Sequence, residues 1–189
     1  MAIKVGLTRE AVMKAAGELA DANGLHEVTL AALAARLGVR TPTLDHYVDG
    51  LTGLRRELAL LGCRELAQHM GQAIMGKSGD EAVLALADAY RAFAGEHPGL
   101  YTATVQAAEP GDMELGAAQA EVVEIARRAL AAFHLAYEDS IHVVRMLRSV
   151  IHGFVTLEHA GGFGMPVDLD RSYHELLRLL LLGLQRSTP

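Results

Sequence analysis

The sequence contains a single cysteine, Cys63, and no tryptophan. One cysteine excludes an intramolecular disulfide framework and a cysteine metal cluster, and it is typical of proteins from a reducing compartment. A bilayer-spanning helix needs about 20 apolar residues. The longest apolar run extends only from Leu176 to Leu184 and is interrupted by Arg178 and Gly183. The N-terminal segment also lacks the apolar core and cleavage site of a signal peptide. These absences favour a cytoplasmic protein without a membrane segment.

Aromatic residues are scarce, at 5% of the chain, although hydrophobic residues as a whole make up 51%. The apolar content is therefore mostly Ala, Leu and Val, which suits helix packing better than a sheet sandwich. No segment shows the strict apolar–polar alternation of a strand. The sequence predicts an all-α protein of about nine helices, with enough apolar residues for a small head on a larger body.

Acidic residues outnumber basic ones, and the net charge of −6 argues by itself against nucleic-acid binding. The charge is unevenly distributed, however. Residues 1–56 carry seven Lys/Arg against six Asp/Glu, a net charge of +1, and the remainder carries ten against seventeen, a net charge of −7. An acidic body with a near-neutral head is compatible with DNA binding through the head.

Three short helical patterns near the N-terminus have the spacing of a helix-turn-helix. Thr8 and Thr29 predict the N-caps of the first two helices, and Gly38 predicts the end of the second. Thr41-Pro42 predicts the N-cap and first position of a third, short helix that runs through Tyr47. The expected shared core is Leu30, Leu33, Leu37, Val39 and Leu44. This spacing favours a three-helix DNA-binding head over an ordinary helical hairpin.

The third helix is the expected recognition helix, which enters the major groove. Hydroxyl groups and a free helix N-terminus at Thr41 suit phosphate and base-edge contacts. Positive charge nearby is expected from Arg36, Arg40, Lys4 and Arg9. The predicted DNA-binding residues are Thr29, Arg40, Thr41, Pro42, Thr43, Asp45, His46 and Tyr47.

The chain resembles the tetracycline-repressor-like (TetR) regulators in two N-terminal stretches, LTREAVMKAAGELADANGLHEVTLAALAARLGVRTPTL and VDGLTGLRRELALLGCREL. Two further stretches, EHPGLY and RMLRSVIHGFVTLEHAGGFGMPVDLDRSY, are similar to the ligand-domain signature called WHG in one TetR subgroup. The resemblance implies a helix-turn-helix DNA-binding domain over residues 1–52, with its motif at 29–48. It also implies an effector-binding and dimerisation domain over residues 53–189. The implied function is a repressor that a small-molecule effector releases from its operator.

The sequence departs from the family at the end of the recognition helix. The family usually has Leu-Tyr-x-His-(Phe/Val) there, whereas this chain has Leu44-Asp45-His46-Tyr47-Val48. The family's tyrosine and histidine commonly touch the DNA backbone, which the resemblance implies for Tyr47. A carboxylate at residue 45 is instead repelled by phosphate. Two hypotheses follow, namely that Asp45 weakens DNA binding or that it accepts a hydrogen bond from a cytosine amino group.

The last two helical segments are apolar around most of their circumference. Such helices must be buried on more than one side, so we expect two from each chain to form a four-helix homodimer interface. A monomer with an unusually apolar core is the alternative. The predicted interface residues are Ile141, Val144, Arg148, Ile151, Val155, Leu176, Leu180 and Leu184.

The resemblance also implies an effector pocket within the body, with an apolar effector held by a few polar groups. Ordinary core packing is the alternative for every candidate. The predicted lining residues are Met70, Ile74, Phe93, Tyr101, Val105, Phe133, Met146 and His152.

We expect no catalytic residue, cofactor or metal site. Nine histidines are present, but no set has clear metal-ligand spacing. Glu158 with His152 or His159 is the acid–base pair that an enzyme would use, yet no nucleophile elbow, phosphate loop or metal motif accompanies it. The alternatives to a regulator are a helical ligand-binding protein that has lost specific DNA binding and a His/Glu-dependent enzyme.

Overall fold

The computed structural model describes residues 7–187, with side chains to residue 185, and every regular element within that range is helical. The all-α prediction of about nine helices is confirmed. The α-helices of the described range are α1 Arg9–Asn23, α2 Leu30–Leu37, α3 Thr41–Leu44, α4 Gly50–Ala73, α5 Gly79–Glu96, α6 Pro98–Ala103, α7 Met113–Ala129, α8 Tyr137–His159 and α9 Leu169–Ser187. None of these helices is long and apolar enough to cross a bilayer.

The chain divides into two compact units. The first contains the residues up to 65 together with 96–119, and the second contains 66–95 together with the residues from 120 onward. These units are defined by which residues pack together, whereas the predicted domains 1–52 and 53–189 are defined by the functions assigned to them. The functional division stays a prediction, and residues 1–6 of it lie outside the described residues.

Local capping chemistry sets the first two helices as predicted. The Thr8 hydroxyl oxygen accepts a hydrogen bond from the Ala11 amide at 3.1 Å, and the Thr29 hydroxyl oxygen accepts one from the Ala32 amide at 3.1 Å. Each bond satisfies an amide that the first helical turn would otherwise leave unpaired. Gly38 ends α2 in the left-handed conformation, with φ +65°, which a residue with a Cβ adopts less readily.

The third helix differs from its prediction at both ends. Arg40, not Thr41, is the N-cap, because its backbone is extended and its carbonyl accepts the Thr43 amide at 2.9 Å. Pro42 is consequently the second helical position. The α-helix ends at Leu44, and residues 45–47 continue as a turn in which the Tyr47 amide donates to the Leu44 carbonyl at 2.8 Å.

The core of the first three helices is smaller than predicted. Leu33 and Leu44 are completely buried, whereas Leu30, Leu37 and Val39 are only half-buried. The remaining space is filled from α1 and the loop before α2, by Val12, Ala16 and Val28, which are all inaccessible to solvent.

Cap chemistry in the sequence predicts that α8 starts at Asp139 or Ser140, and the structure differs. The helix begins at Tyr137, preceded by Ala136, and neither Asp139 nor Ser140 is its N-cap. The Ser140 hydroxyl instead donates to the Tyr137 carbonyl at 2.6 Å and accepts from Arg127 Nε at 2.9 Å. For the last helix the sequence predicts a start at Asp168 or Asp170. The structure has Asp168 just before Leu169, the first helical residue, and its Oδ1 accepts the Asp170 amide at 2.9 Å.

Candidate nucleic-acid interface

The short α3 and the turn after it present one exposed strip. Thr41, Pro42, Asp45 and His46 are exposed, and we call these four residues the α3 strip. They lie at positions i, i+1, i+4 and i+5, which share one side of a helical path. Leu44, which is completely buried, anchors the opposite side. Of the other predicted contacts on this segment, Thr43 and Tyr47 are half-buried.

Tyr47 is held by the fold itself. Its hydroxyl donates to the Leu7 carbonyl at 2.8 Å, across 40 residues of sequence. Leu7 directly precedes Thr8, the N-cap of α1, so this bond joins the end of the recognition helix to the start of the first helix. The hydroxyl proton of Tyr47 is therefore engaged in this bond, and only the lone pairs of its oxygen are available to another group. A phosphate contact by Tyr47 stays a prediction and would require this bond to break.

Two other predicted DNA-binding side chains keep donors available. The Thr29 hydroxyl accepts from Ala32, which leaves its own proton for an outside acceptor. Arg40 is exposed, and no carboxylate within residues 7–185 pairs with it. Both groups stay candidates for phosphate contacts.

Two of the expected cations near the head are paired with carboxylates of the same chain. Arg9 pairs with Glu57 at 2.8 Å, and Arg36 pairs with Glu18 at 2.6 Å. Lys4, another expected cation, lies outside the described residues. Counting residues could not reveal these pairs, because each partner comes from a different helix.

Arg56, at the start of α4, is neutralised most completely. Its Nε and Nη2 atoms bind the two oxygens of Asp112 at 2.6 and 2.7 Å, and it also contacts Glu57 and Glu114. The guanidinium and the Leu115 amide hold the pKa of Asp112 below its ordinary value. This fork joins α4 to the turn that begins α7.

The sequence did not reveal how α6 is seated on α1. Asp21 Oδ1, from α1, accepts the Gly99 and Leu100 amides at 2.9 and 3.0 Å, and its other oxygen lies 2.9 Å from His97 Nδ1. A Cβ at Gly99 would lie 2.1 Å from the Ala20 carbonyl carbon, so only glycine fits there. The proline start of α6 was predictable, whereas a cap supplied from 78 residues away was not.

A second glycine permits α6 to approach α4. A Cβ at Gly62 would lie 2.7 Å from the Leu100 carbonyl oxygen. Leu100 itself is 3% exposed, and a Cβ added at Gly17 of α1 would lie 3.5 Å from its side chain. Helix α6 is therefore packed closely against both the first helix of the head and the helix that follows the head.

The predicted effector-pocket residues are divided between the two units and differ in their exposure to solvent. Met70, Phe93 and Phe133 are buried in the second unit, and Ile74 and His152 are half-buried there. Tyr101 is buried in the first unit. Val105 and Met146 are 39% and 49% exposed. The role of these eight residues in an effector pocket stays a prediction.

The predicted dimer-interface residues differ in their exposure within the single chain, and their role stays a prediction. Val144, Ile151, Val155 and Leu184 are buried there, so they have little surface left for a partner. Ile141, Leu176 and Leu180 are half-buried, and Arg148 is exposed. The exposed large hydrophobic side chains in the described parts of α8 and α9 are Tyr137, Met146, Leu157, Leu179 and Leu182.

Glu158 is used structurally. Arg91 Nε donates to its carboxylate at 2.9 Å, and Arg91 Nη1 binds Asp170 at 2.8 Å. The same guanidinium lies 4.7 Å from the ring centroid of Tyr173, whose hydroxyl donates to the Ala87 carbonyl at 2.6 Å. Glu158 is therefore part of an ion-pair cluster that joins α5, α8 and α9, and the Glu158–histidine pair stays a hypothesis. No group of three metal-ligating side chains occurs among the described residues.

These features define a class of protein, an all-helical chain with a helix-turn-helix at its N-terminal end. Residues 83–180 match the family model described as the tetracyclin repressor-like C-terminal domain. The chain belongs to the TetR family of helix-turn-helix transcriptional regulators. Members of this family are regulators rather than enzymes, and they bind DNA operators and small-molecule effectors as dimers. The family prediction is confirmed, and membership of the WHG subgroup stays a prediction.

Named relatives match along nearly the whole chain. The HTH-type transcriptional regulator YobS of Bacillus subtilis (strain 168) is 34% identical over 97% of this chain and 96% of its own length. The regulator Rv0681 of Mycobacterium tuberculosis is 31% identical over 96% of this chain and 84% of its own length. The structure of TetR from Acinetobacter baumannii AYE has the same fold, with a TM-score of 0.72, 19% identity and coverage of 97% and 99% of the two chains.

Proposed function

We propose that this regulator is a homodimeric repressor that binds an operator through residues 29–48 and leaves it when a small-molecule effector binds the body. The observation that carries the proposal is the α3 strip. Four exposed residues stand on one side of a helical path whose other side is anchored by the completely buried Leu44. Such a short helix, presented by a small three-helix core, fits the major groove.

Phosphate contacts are assigned to the groups that the fold leaves available. Arg40 immediately precedes α3 and has an unpaired guanidinium among the described residues. The Thr29 hydroxyl keeps its proton at the start of α2. Contacts of this kind fix the position of the protein on the duplex and carry no sequence information.

Dimerisation is assigned to the exposed apolar faces of α8 and α9. Met146 and Leu157 share one face of α8, and Leu179 and Leu182 lie one turn apart on α9. Gly153 of α8 and Gly183 of α9 have open space where a Cβ would stand. A glycine inside a helix costs about 0.5–1 kcal/mol relative to alanine, so close approach of a partner helix is a reason to keep it.

Effector release is assigned to α6, because this helix contacts both α1 and α4 through glycines. A displacement of α6 cannot be absorbed by side-chain rotation at these points, since the backbones themselves are in contact. An effector that prefers the displaced arrangement would shift the head, by no more than its differential affinity for the two arrangements.

Selection from a pool of random duplexes at physiological salt tests DNA binding. The full-length protein should enrich an inverted repeat whose half-sites lie one helical turn, or a multiple of it, apart. Arg40→Ala should weaken binding to the selected duplex and reduce the salt slope of the dimer by about 2, one for each protomer. Arg145→Ala, which removes an exposed arginine from α8, is the matched control and should change neither. Failure to enrich any sequence would favour a ligand-binding protein without specific DNA recognition.

The effector half of the proposal has a separate test. Small molecules that raise the melting temperature of the protein are added to the complex with the selected duplex. A compound that stabilises the protein should also lower its affinity for the duplex at fixed salt. Stabilising compounds that all leave the affinity unchanged would contradict release through the body.

A further inference from the structure

We propose that Asp45 determines operator sequence by accepting a hydrogen bond from the amino group of a cytosine in the major groove. This inference rests on the proposed operator binding and names the base that one residue recognises. Asp45 directly follows α3, and its backbone is still helical, with φ −60° and ψ −18°. Its side chain is exposed.

The direction of Asp45 is set by its neighbours on both sides. Leu44 is completely buried and Val48 is 6% exposed, while the Tyr47 hydroxyl is bound to the Leu7 carbonyl at 2.8 Å. Three anchors within five residues fix the rotation of this segment about its own path. Asp45 and His46 are consequently the residues that the turn must present outward, beside Thr41 and Pro42 of the α3 strip.

The carboxylate of Asp45 has no partner within the protein. No cation or hydrogen-bond donor among the described residues pairs with it. Arg9 borders the same surface depression, but it is bound to Glu57 at 2.8 Å. An uncompensated negative charge on a DNA-binding surface lowers affinity unless a donor on the DNA satisfies it.

The donor pattern of the major groove identifies the base. Guanine presents two acceptors there, thymine an acceptor and a methyl group, and adenine an acceptor beside its amino donor. Cytosine presents its amino donor alone. A carboxylate, which only accepts, is therefore repelled least and satisfied best at cytosine.

Binding-site selection with wild type, Asp45→Ala and Asp45→Asn tests this assignment. The wild-type protein should prefer cytosine at one position of each half-site by about 5- to 100-fold. Asp45→Ala should lose the preference at that position only. Asp45→Asn should move it towards adenine, because an amide pairs with both the amino group and N7 of that base.

Asp49→Asn is the matched control, since it removes the same charge from an exposed residue four positions further along the chain. It should leave the preference at every position unchanged. An unaltered base preference in Asp45→Ala would overturn the assignment. So would an equal rise in affinity for all duplexes in Asp45→Ala and Asp49→Asn, which would mean that Asp45 acts by repulsion alone. If wild type enriched no sequence, operator binding itself would fail, and this inference with it.

Discussion

Gly99→Ala tests whether α6 is seated on α1 and whether that seat matters for DNA binding. The new Cβ would lie 2.1 Å from the carbonyl carbon of Ala20 and 2.2 Å from its oxygen. Overpacking of this kind costs about 1–3 kcal/mol. Displacing α6 also weakens the two amide bonds to Asp21, at about 1.5 kcal/mol or more for a bond to a charged group. Alanine recovers up to about 1 kcal/mol of helix propensity. We expect a net loss of about 2–4 kcal/mol, measured by urea unfolding followed by circular dichroism.

Gly116→Ala is the control for this experiment, because nothing lies within 4 Å of its added Cβ and the residue is inside α7. It should stabilise the protein by up to about 1 kcal/mol. At temperatures where both variants are folded, Gly99→Ala should bind the selected duplex about 5-fold more weakly or worse. Stability within about 0.5 kcal/mol of wild type would refute the described contact. A loss of stability without a loss of affinity would refute the role of this contact in release.

Two further predictions concern the dimer and the acid sensitivity of the first unit. Leu179 is 66% exposed in the single chain, so Leu179→Glu should give folded monomers by light scattering. Ile151 is buried, so Ile151→Glu should unfold the chain. A folded Leu179→Glu dimer would place the interface elsewhere. Because Arg56 lowers the folded-state pKa of Asp112, this carboxylate stabilises the fold fully above about pH 4, and the stabilisation is lost as the pH falls through the lowered pKa. Asp112→Asn should therefore have a lower urea midpoint than wild type at pH 7, and the difference should shrink below about pH 4; a difference independent of pH would contradict the pairing.

The features that the sequence predicted correctly are those with local causes. Thr8 and Thr29 cap helices whose first amides lie three residues away, and Gly38 ends a helix by its own backbone conformation. These interactions need no knowledge of the rest of the fold. Ser140 shows where such local reasoning fails. Its hydroxyl has the chemistry of a helix cap, but it accepts a hydrogen bond from Arg127 of another helix instead.

The side of α9 that faces the core could not be predicted, because leucines occupy almost every side of it. Leu177 and Leu181 are 0% and 3% exposed, whereas Leu179 and Leu182 are 66% and 46% exposed. Periodicity separates faces only when some faces are polar. The predicted interface residues of α9 consequently include half-buried positions, Leu176 and Leu180, and a buried one, Leu184, and the interface stays a prediction.

The recognition segment shows both the reach and the limit of sequence reasoning. The place of the helix-turn-helix followed from spacing, and the departure at Asp45 followed from comparison with the family pattern. The bond from Tyr47 to Leu7 joins residues 40 positions apart, and no local pattern encodes it. Without that bond, the sequence could not decide whether Tyr47 or Asp45 is the side chain presented outward.

The pairing of arginines around the head changes how the near-neutral charge should be understood. Arg9 and Arg36 form pairs that are 63% and 42% exposed on the arginine side, and exposed pairs contribute at most about 1 kcal/mol. DNA phosphates can therefore recruit these two side chains at little cost. Arg56 is 33% exposed and is bound by three carboxylates, so a phosphate must displace a much stronger set of contacts. Because phosphate contacts carry no sequence information, any sequence preference must come from the bases that the α3 strip contacts.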